Sequence, residues 1–584
     1  MLQNPGDMIY SKPQLYSFYF FALMVNISGF HQNLFSQKLI AGTVKTEIEA
    51  DVCVYAASAS GVLAAVAVAR EGYSVVIVEP THTIGGLLAS GFRMQQDVPD
   101  PQHLGGLTRD FYEKDIALHV GIYAPTLRHY QGAGEDNIAL LQEYIDEYAD
   151  LISVITNHRI ISVNTDQGVI KDALFEFAPS DENGVPAPTR LTDNLSRIKA
   201  KVFIDASYEG DLMAYSGVAY RVNRESKEEY DETLAGVVIS REFPGVDPYK
   251  IKGDPSSGLL SPIYPDPIGK KGDSSRFFMG WNFKLAWETN PTDAYPGVPI
   301  GSPENKDQDV YELLSRYEEA GFNTTWPHAN FDREELLTGA IPGMQTNYPD
   351  GDWATRSEIW QDFIDHVKTL TDFSGKDVRL LSDYREETNG WPFLYMRGGR
   401  RMIGEYVMTQ KDIQLQTNVP TPIGMGYYKV DIYPTRLAVD DEGTLVQEGD
   451  VFELASPGPY QIPYGAIIPK KNEIKNLLVT MMMSATHVAY STIRMEATYM
   501  VMGESAGIAA ALAIKSNKAV QDLDRVKLTS MLKSYGQELE WDGTGFYTKG
   551  LWRSNIYGHP SKITGRWVTH PEEYVNYPID QLWK

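Results

Sequence analysis

The chain has 584 residues, a length that favours more than one hydrophobic core, and its 43% hydrophobic content is ordinary for a globular protein. Its 77 acidic and 52 basic residues give a net charge of −25, which argues against nucleic acid or an anionic membrane surface as a partner. The single cysteine, Cys53, excludes an internal disulfide, a cysteine-ligated iron–sulfur cluster and a structural zinc site of cysteines.

The first 45 residues have the pattern of an export signal followed by a linker. Lys12 precedes an apolar run over 15–27, which is short for a membrane-spanning helix and has the length of a signal-peptide core. We expect a periplasmic or extracellular protein without a stable membrane span after cleavage. The alternatives are an uncleaved membrane anchor and a misassigned start, since Met8 also fits as the first residue.

The next stretch predicts a βαβ unit, with strand, turn, helix and strand over 51–55, 56–60, 61–70 and 74–78. Such a unit binds the adenosine diphosphate half of a dinucleotide, because the helix N-terminus offers unpaired N–H groups to the pyrophosphate. Glu79 follows the second strand, where an acidic residue accepts hydrogen bonds from the ribose hydroxyls. Its charge also disfavours an NADP-type 2′-phosphate.

The glycine pattern of this turn is degenerate. The usual G-x-G-x-x-G falls on Ala56, Ser58 and Gly61, so small residues replace two of the three glycines. Alanine and serine cost little at such positions if their φ angles stay negative. The alternative is an ordinary buried βαβ unit in some other α/β protein.

Two glycine pairs follow, and paired glycines permit close approach of a backbone. Gly85 and Gly86 lie where the middle of a flavin would pass in a fold of this type, and the second pair is at 105–106. Apolar residues at helical spacing predict helices over 107–119 and 137–149.

Alternating residues over 151–177 predict a β-meander with a hairpin turn at 166–168. A further strand over 199–204 ends in Asp205 and Ala206, small and acidic residues that can meet a cofactor.

Residues 227–455 are rich in Pro, Gly, Trp, Tyr and Asp, which predicts an inserted lobe with isolated helices over 307–320 and 354–371. This aromatic and acidic lobe would suit a carbohydrate or another polar compound. It contains the run R-G-G-R-R at 397–401, a basic cluster in an acidic protein. Grouped arginines either recognise a carboxylate or phosphate or form structural ion pairs, and the sequence leaves both open.

The α/β pattern returns from residue 462. A buried strand is predicted over 476–483, followed by His487 and Arg494, and then by a helix over 498–515 that contains G-E-S-A-G at 503–507.

The βαβ unit, the D-A-S-Y-E-G-D segment at 205–211 and the late run from N-L-L-V at 476 to G-I-A-A-A-L-A at 507 share one chain. Together they resemble FAD-dependent oxidoreductases of the two-dinucleotide-binding-domain type over roughly 48–519. The sequence is also similar to the flavin subunit of heterodisulfide reductase, whose iron–sulfur clusters a chain with one cysteine cannot hold.

The resemblance implies an α/β fold with a Rossmann-like FAD/NAD(P)-binding domain. This domain would have three layers, a parallel sheet and a β-meander, and would carry an inserted α+β substrate lobe. The implied order is signal and linker, first FAD-binding segment, inserted lobe, second FAD-binding segment and C-terminal tail, over 1–45, 46–226, 227–455, 456–520 and 521–584.

The resemblance also implies the residues that bind FAD, with no metal ligand among them. The turn would surround the pyrophosphate, Glu79 would hold the ribose and Ile160 would offer its backbone to adenine. A second helix N-terminus near Gly503 would face the pyrimidine edge of the flavin, so two helix starts must converge on one nucleotide. The predicted set is Ala57, Ser58, Ser60, Gly61, Glu79, Pro80, Gly85, Gly86, Ile160, Asp205, Ala206, Gly503, Glu504, Ala506 and Gly507.

The expected activity is hydride transfer between a small polar organic substrate and FAD. His487 is the candidate proton donor or acceptor, Arg494 could orient an oxygen of the substrate or flavin, and Arg400 is a further candidate contact. The alternative is structural, with His487 in a loop cap and Arg494 paired with Glu496 or Glu504. The electron acceptor is open, because the sequence shows no second glycine-rich loop for NAD(P).

Two other functions remain open at this stage. The degenerate glycines also fit a flavoprotein fold that has lost FAD and acts as a non-catalytic binding protein. The run G-E-S-A-G fits the G-x-S-x-G elbow of serine hydrolases, with Ser505 as the nucleophile, although the elbow needs a strand directly before the serine.

Overall fold

The computed structural model describes residues 42–90, 103–119, 133–191, 193–293, 296–324, 326–327, 337, 339–381, 386–453 and 458–541. The predicted signal core and the tail after residue 541 lie outside these residues.

The described helices are α1 to α11, in order Ala59–Arg70, Gly106–His119, Ala133–Asp146, Asp211–Tyr215, Lys227–Tyr230, Gln308–Glu319, Trp353–Ser374, Gln410–Ile413, His487–Ile493, Glu496–Ser516 and Arg525–Ser534. The strands β1 to β12 are Thr43–Tyr55, Val75–Val78, Ile152–Ile155, His158–Asp166, Val169–Phe177, Asn194–Asp205, Tyr220–Arg221, Ile239–Glu242, Tyr249–Ile251, Asp254–Leu259, Asn282–Phe283 and Trp287–Glu288. The strands β13 to β23 are Val298–Pro299, Arg379–Leu380, Leu394–Tyr395, Arg401–Met402, Pro422–Gly426, Val430–Ile432, Arg436–Val439, Leu445–Glu448, Val451–Glu453, Tyr460–Pro463 and Leu477–Val479.

A seven-stranded sheet of order β3-β2-β1-β6-β5-β4, with β23 also paired to β6, forms the centre of the α/β fold. The strands β3, β2, β1, β6 and β23 are parallel. Tyr55 is level with Val78 on one side and with Asp205 on the other, and Asp205 is level with Val479. Four parallel strands therefore end together, and such an edge is where open α/β sheets bind ligands.

The antiparallel part of this sheet is the predicted meander. It consists of β4, β5 and β6, and the predicted hairpin turn is formed by Gln167 and Gly168, both with positive φ. The stretch predicted as meander also contains β3, which instead lies parallel to β2. Because β3 is a four-residue strand at the edge of the parallel sheet, its short pattern cannot be told from a meander strand by alternation alone.

Helices α1 and α10 pack against each other at very short range. A Cβ on Gly503 would lie 2.1 Å from the carbonyl oxygen of Ser60, and one on Gly507 would lie 2.3 Å from that of Ala64. The two glycines thus allow the backbones of the helices to touch, and α1 is buried along its length except at Arg70. This contact joins the first βαβ unit to a segment more than 400 residues later.

Among the described residues, one helix is long and apolar enough to span a membrane. It is α10, and 94% of the apolar window is buried inside the protein. Its hydropathy is that of a core helix.

A second hydrophobic core lies within the predicted lobe. Large aromatic side chains on and around α7 build it, including Trp281, Trp326, Trp360 and Phe363. Other lobe residues, such as Ile423, belong to the first core instead. The domain boundaries stay a prediction.

We expect Gly507→Ala to lower the free energy of unfolding by roughly 1–3 kcal/mol. An alanine is ordinarily better than glycine in a helix by about 1 kcal/mol, but the added methyl would meet a backbone oxygen that cannot rotate away. Denaturant titration measures the change.

The matched control for that variant is Gly399→Ala, because its new Cβ would find its nearest atoms at 3.7 and 4.0 Å, ordinary contact distances. Equal stability losses in both variants would contradict the close contact of α1 and α10.

Candidate functional site

The turn between β1 and α1 lies at the sheet edge and is tightly constrained. Ala56 has φ +74°, a left-handed conformation that disfavours residues with a Cβ, whereas Ser58 has φ −55°. The condition of a negative φ is therefore met at Ser58 and not at Ala56. Gly61 is required, since a Cβ there would lie 2.1 Å from the Ala56 carbonyl oxygen.

Ser58 does more than replace a glycine. Its Oγ accepts a hydrogen bond from the backbone N of Gly61 and thereby caps α1, and it donates to the carbonyl oxygen of Ala206 at 2.8 Å. The hydroxyl of Ser60 instead donates a hydrogen bond to the hydroxyl of Thr480, at 2.9 Å. One N–H at the helix start is thus already bonded within the protein.

Glu79 lies beside this turn, as its position in the sequence predicts. Its Oε2 accepts a hydrogen bond from the backbone N of Ala57 at 2.6 Å, and its Oε1 accepts from the backbone N and the hydroxyl of Thr81 at 2.7 and 2.6 Å. Burial raises the pKa of Glu79, and the hydrogen bonds oppose that shift. The carboxylate is therefore held at the turn, where a ribose would lie.

A cavity of about 90 Å³ opens against this turn, between the sheet edge and the lobe. It is smaller than the roughly 300–1,000 Å³ of ordinary ligand pockets, so it holds a part of a dinucleotide at most. Its lining includes Ala56, Ser58, Glu79, Pro80, Gly86, Tyr208, Glu209, Trp353, Leu394 and Met396. Of the predicted residues, Gly85 lies next to it, donating from its backbone N to the carbonyl oxygen of Ala57 at 2.7 Å.

Three further predicted residues are bonded inside the protein. The Asp205 carboxylate accepts hydrogen bonds from Ser207 and from the backbone N of Met213, and Ala206 is the acceptor for Ser58. The backbone N of Ile160 donates to the Tyr55 hydroxyl at 3.3 Å. That N–H is therefore already used, and the predicted adenine contact would have to displace the tyrosine.

The prediction of a helix N-terminus near Gly503 is wrong. Helix α10 begins at Glu496, and the segment 503–507, with its buried Ala506, lies inside the helix against α1. The two segments meet as predicted, but in direct helix contact rather than across a nucleotide. Glu504 accepts hydrogen bonds from the backbone N of Leu107 and from Gln537, away from the turn.

The same geometry excludes the serine hydrolase. Ser505 is fully buried within α10, and its hydroxyl donates to the carbonyl oxygen of Ile423 at 2.6 Å. No strand precedes it directly, so the nucleophile elbow does not form.

The predicted catalytic residues are all buried and all bonded. The Nε2 of His487 accepts a hydrogen bond from the backbone N of Met279 at 3.3 Å, and burial holds the pKa of this ring well below its ordinary value. The ring is thus neutral near pH 7, and its catalytic role stays a prediction. Arg400 pairs with Asp211 and Asp350 at 2.6 and 3.1 Å, which is the structural alternative for that arginine.

Arg494 has a partner that the sequence did not indicate. Its Nη2 lies 3.1 Å from Oδ2 of Asp431, and its Nη1 donates to the Tyr395 hydroxyl at 2.7 Å. The alternative of a pair with Glu496 or Glu504 is wrong, because Arg494, the residue after α9, pairs with Asp431 and has neither glutamate carboxylate within 4.0 Å.

A pair missed from the sequence lies at the cavity. The Tyr208 hydroxyl accepts a hydrogen bond from the backbone N of Leu87 at 3.0 Å and donates to Oε1 of Glu496 at 2.9 Å. Oε2 of Glu496 has no partner among the described residues, and burial raises the pKa of Glu496 to about 7. The D-A-S-Y-E-G-D segment was the available signal, since Tyr208 belongs to it.

The sequence matches the model of a protein family described as FAD dependent oxidoreductase over residues 51–532, most of the chain. The chain belongs to this family. The geometry of this FAD-dependent oxidoreductase fits the cofactor at one end: Gly61 allows the tight turn between β1 and α1, and Glu79 presents a buried carboxylate suited to ribose hydroxyls. FAD supplies the site that accepts or gives a hydride.

Solved structures of several enzymes show partial likeness to this chain. A mutant of E. coli quinol fumarate reductase FrdA has 11% identity over 84% of this chain and 74% of its own, with a TM-score of 0.29. T. acidophilum thioredoxin reductase has 19% identity over 27% and 34%, with a TM-score of 0.15. The L-amino acid deaminase from Proteus vulgaris has 16% over 32% and 56%, with 0.20.

At these scores the family assignment rests on the sequence match. In the structural comparison, this chain covers about a third of the thioredoxin reductase chain and about half of the deaminase chain. No curated protein matches the sequence.

We expect Ala56→Gly to raise the free energy of unfolding by roughly 0.5–1 kcal/mol. The strain of a left-handed alanine, about 1–2 kcal/mol, is relieved, and the greater freedom of glycine in the unfolded chain takes part of that gain back. The neighbouring variant Ala57→Gly has no such strain to relieve and should lose roughly 1 kcal/mol. A loss in both variants, measured by denaturant titration, would contradict the strained turn.

We expect the unfolding temperature to fall between about pH 4.5 and pH 7 in part because of Glu496. Its pKa is raised to about 7 in the folded chain from an ordinary 4.5, so folding takes up a proton in this range and stability is lost as the pH rises. Glu496→Gln mimics the protonated form and should flatten this part of the profile.

The control for that profile is Glu135→Gln, an exposed residue in the first turn of α3, which should leave the pH dependence unchanged. If Glu496→Gln also left it unchanged, Glu496 would already be ionised when buried.

Proposed function

We propose that this FAD-dependent oxidoreductase transfers a hydride between a small polar organic substrate and bound FAD, with an electron acceptor that its sequence does not identify. The observation that carries the proposal is the placement of the Glu79 carboxylate against the backbone of the β1–α1 turn, at the edge where four parallel strands end. The nearby cavity is closed on its other side by the lobe, which offers Trp353, Leu394 and Met396.

The protein itself supplies binding and proton handling. Tyr208 and Glu496 form a hydrogen-bonded pair beside Gly86, the predicted flavin contact, where a Cβ would lie 2.8 Å from the Tyr208 hydroxyl. Burial raises the pKa of Glu496 to about 7. Its Oε2 has no hydrogen-bond partner among the described residues, so this oxygen can hold a proton. This pair is a better candidate for proton transfer than His487, whose Nε2 is bonded to the backbone.

A second candidate is a binding protein that has lost FAD. Three observations favour it: the strained Ala56, the capping of α1 by Ser58, and the small volume of the cavity. Each reduces the space or the N–H groups offered to a pyrophosphate. A purified protein without flavin absorbance would establish this candidate.

The apolar run over 15–27, which predicts a signal peptide, supports a further proposal, that the oxidoreductase is exported. Cell fractionation that found the uncleaved chain in the cytoplasm would contradict it.

We expect the purified protein to release FAD on denaturation and Glu79→Ala to weaken FAD binding roughly tenfold or more. Hydrogen bonds to a charged group contribute about 1.5–3 kcal/mol, and the ribose hydroxyls would lose their acceptor. Flavin absorbance per mole of protein, after equilibration with added FAD, measures the change. Glu47→Ala, at an exposed site on β1, is the control. FAD content equal in both variants would contradict the assignment of Glu79.

A further inference from the structure

Arg397 is a buried arginine without a carboxylate. Its exposed fraction is 0%, and no acidic side chain of the described residues lies within 4.0 Å of it. Its Nη1 donates to the carbonyl oxygen of Gly280 at 2.9 Å. Its Nε and Nη2 have no hydrogen-bond partner in the described part of the chain. Burial lowers the pKa of Arg397, but a guanidinium stays charged in proteins.

The other most deeply buried arginines show what is unusual here. Arg400, Arg401 and Arg436 are each exposed by 2% or less, and each lies within 4.0 Å of a carboxylate, on Asp211, Glu225 and Glu448 respectively. Burying an unpaired charge is costly, and the protein avoids that cost at these three positions. Arg397 is the exception.

Arg494 adds a second positive charge at the same place. The rings of Tyr395 and Tyr433 lie 4.4 and 3.9 Å from the guanidinium carbon of Arg397, and 5.9 and 5.5 Å from that of Arg494. The carboxylate of Asp431 is bonded to Arg494. Among the described residues, two guanidinium groups thus face one carboxylate, which leaves one positive charge of the cluster uncompensated there.

This cluster adjoins the cavity described above. Leu394 and Met396 line the cavity, and the residues that alternate with them along the chain, Tyr395 and Arg397, belong to the arginine cluster. Arg494 precedes Glu496 by two residues, so the cluster and the proton-holding pair lie at the same end of α10. The positive charge is therefore next to the proposed reaction site.

The free nitrogens of Arg397 also have a defined shape. Nε and Nη2 lie on one edge of the planar guanidinium, and their N–H bonds point in parallel. The two oxygens of a carboxylate match this edge, so one such group could satisfy both donors and cancel the charge. A neutral sugar could satisfy the donors but not the charge.

We propose that Arg397, with Arg494 beside it, binds a carboxylate of the substrate, so that the substrate of this oxidoreductase is a small organic acid. The anion site stands on the contacts of Arg397 alone; its assignment to the substrate rests on the proposed function. The composition of the lobe suits a carbohydrate or another polar compound, and the uncompensated guanidinium favours an acid among these.

The test is calorimetric titration of the full chain with acetate and with acetamide, its neutral counterpart, in the FAD-loaded and FAD-free forms. We expect acetate to bind and acetamide not to bind. Arg397→Met should lower the affinity for acetate at least about tenfold. Arg241→Met, which removes an arginine over Phe243 elsewhere in the lobe, should leave acetate binding unchanged. Equal binding of acetate and acetamide would overturn the proposal, as would unaltered acetate binding in Arg397→Met.

Thermal unfolding of the unliganded variants is an independent readout. Arg397→Met should unfold at the same temperature as the native chain or higher, because it removes a buried unpaired charge. Arg400→Met should unfold at a lower temperature, because it strips a partner from Asp211. If Arg397→Met lowered the unfolding temperature as much as Arg400→Met does, the proposal would be overturned.

The two forms separate this proposal from the previous one. Acetate binding that is lost when FAD is loaded would mean that Arg397 faces the flavin, and would overturn the assignment to the substrate. A chain that holds no FAD but binds acetate through Arg397 would refute the oxidoreductase proposal and keep the anion site.

Discussion

The direct contact between helices α1 and α10 is the constraint on which the remaining structure depends. Gly503 and Gly507 bring the later helix against the carbonyl oxygens of Ser60 and Ala64, which leaves no room for a side chain between the two backbones. The same contact fixes Glu496, at the start of α10, beside Tyr208 and Gly86 at the sheet edge. One interface therefore supports the fold and positions the groups that would handle a proton.

Much of the fold could be predicted from the sequence, because its signals are local. The βαβ unit has strongly apolar strands and a helix rich in alanine. Glu79 directly follows β2 and lies beside the β1–α1 turn, as the sequence predicts. The short β3 could not be placed, because four residues are too few to show whether a strand pairs in parallel. The direction of β3 depends on the strand that lies beside it, and only the tertiary structure shows that this strand is β2.

The site was less predictable, since its residues acquire their roles from partners far along the chain. G-E-S-A-G at 503–507 looked like a helix start or a hydrolase elbow, and it is a packing surface in mid-helix. Of the arginines at 397–401, two have carboxylate partners and Arg397 has none in the described part of the chain, a difference set by where Asp211, Asp350 and Glu225 lie in three dimensions. No local pattern separates these arginines.

The late arrival of β23 and α10 has a consequence for biogenesis. When a nascent chain has emerged as far as the lobe, the last residues of β6 lack their β23 neighbour and the alanine face of α1 lacks α10. The first is an unpaired strand edge and the second is an exposed apolar surface, and both kinds of surface cause misassembly in large proteins. Native closure has to wait until some 270 further residues have been synthesised, a span set by β6 ending at Asp205 and β23 beginning at Leu477. Until that point, the first half of the molecule leaves the β6 edge and the alanine face of α1 uncovered.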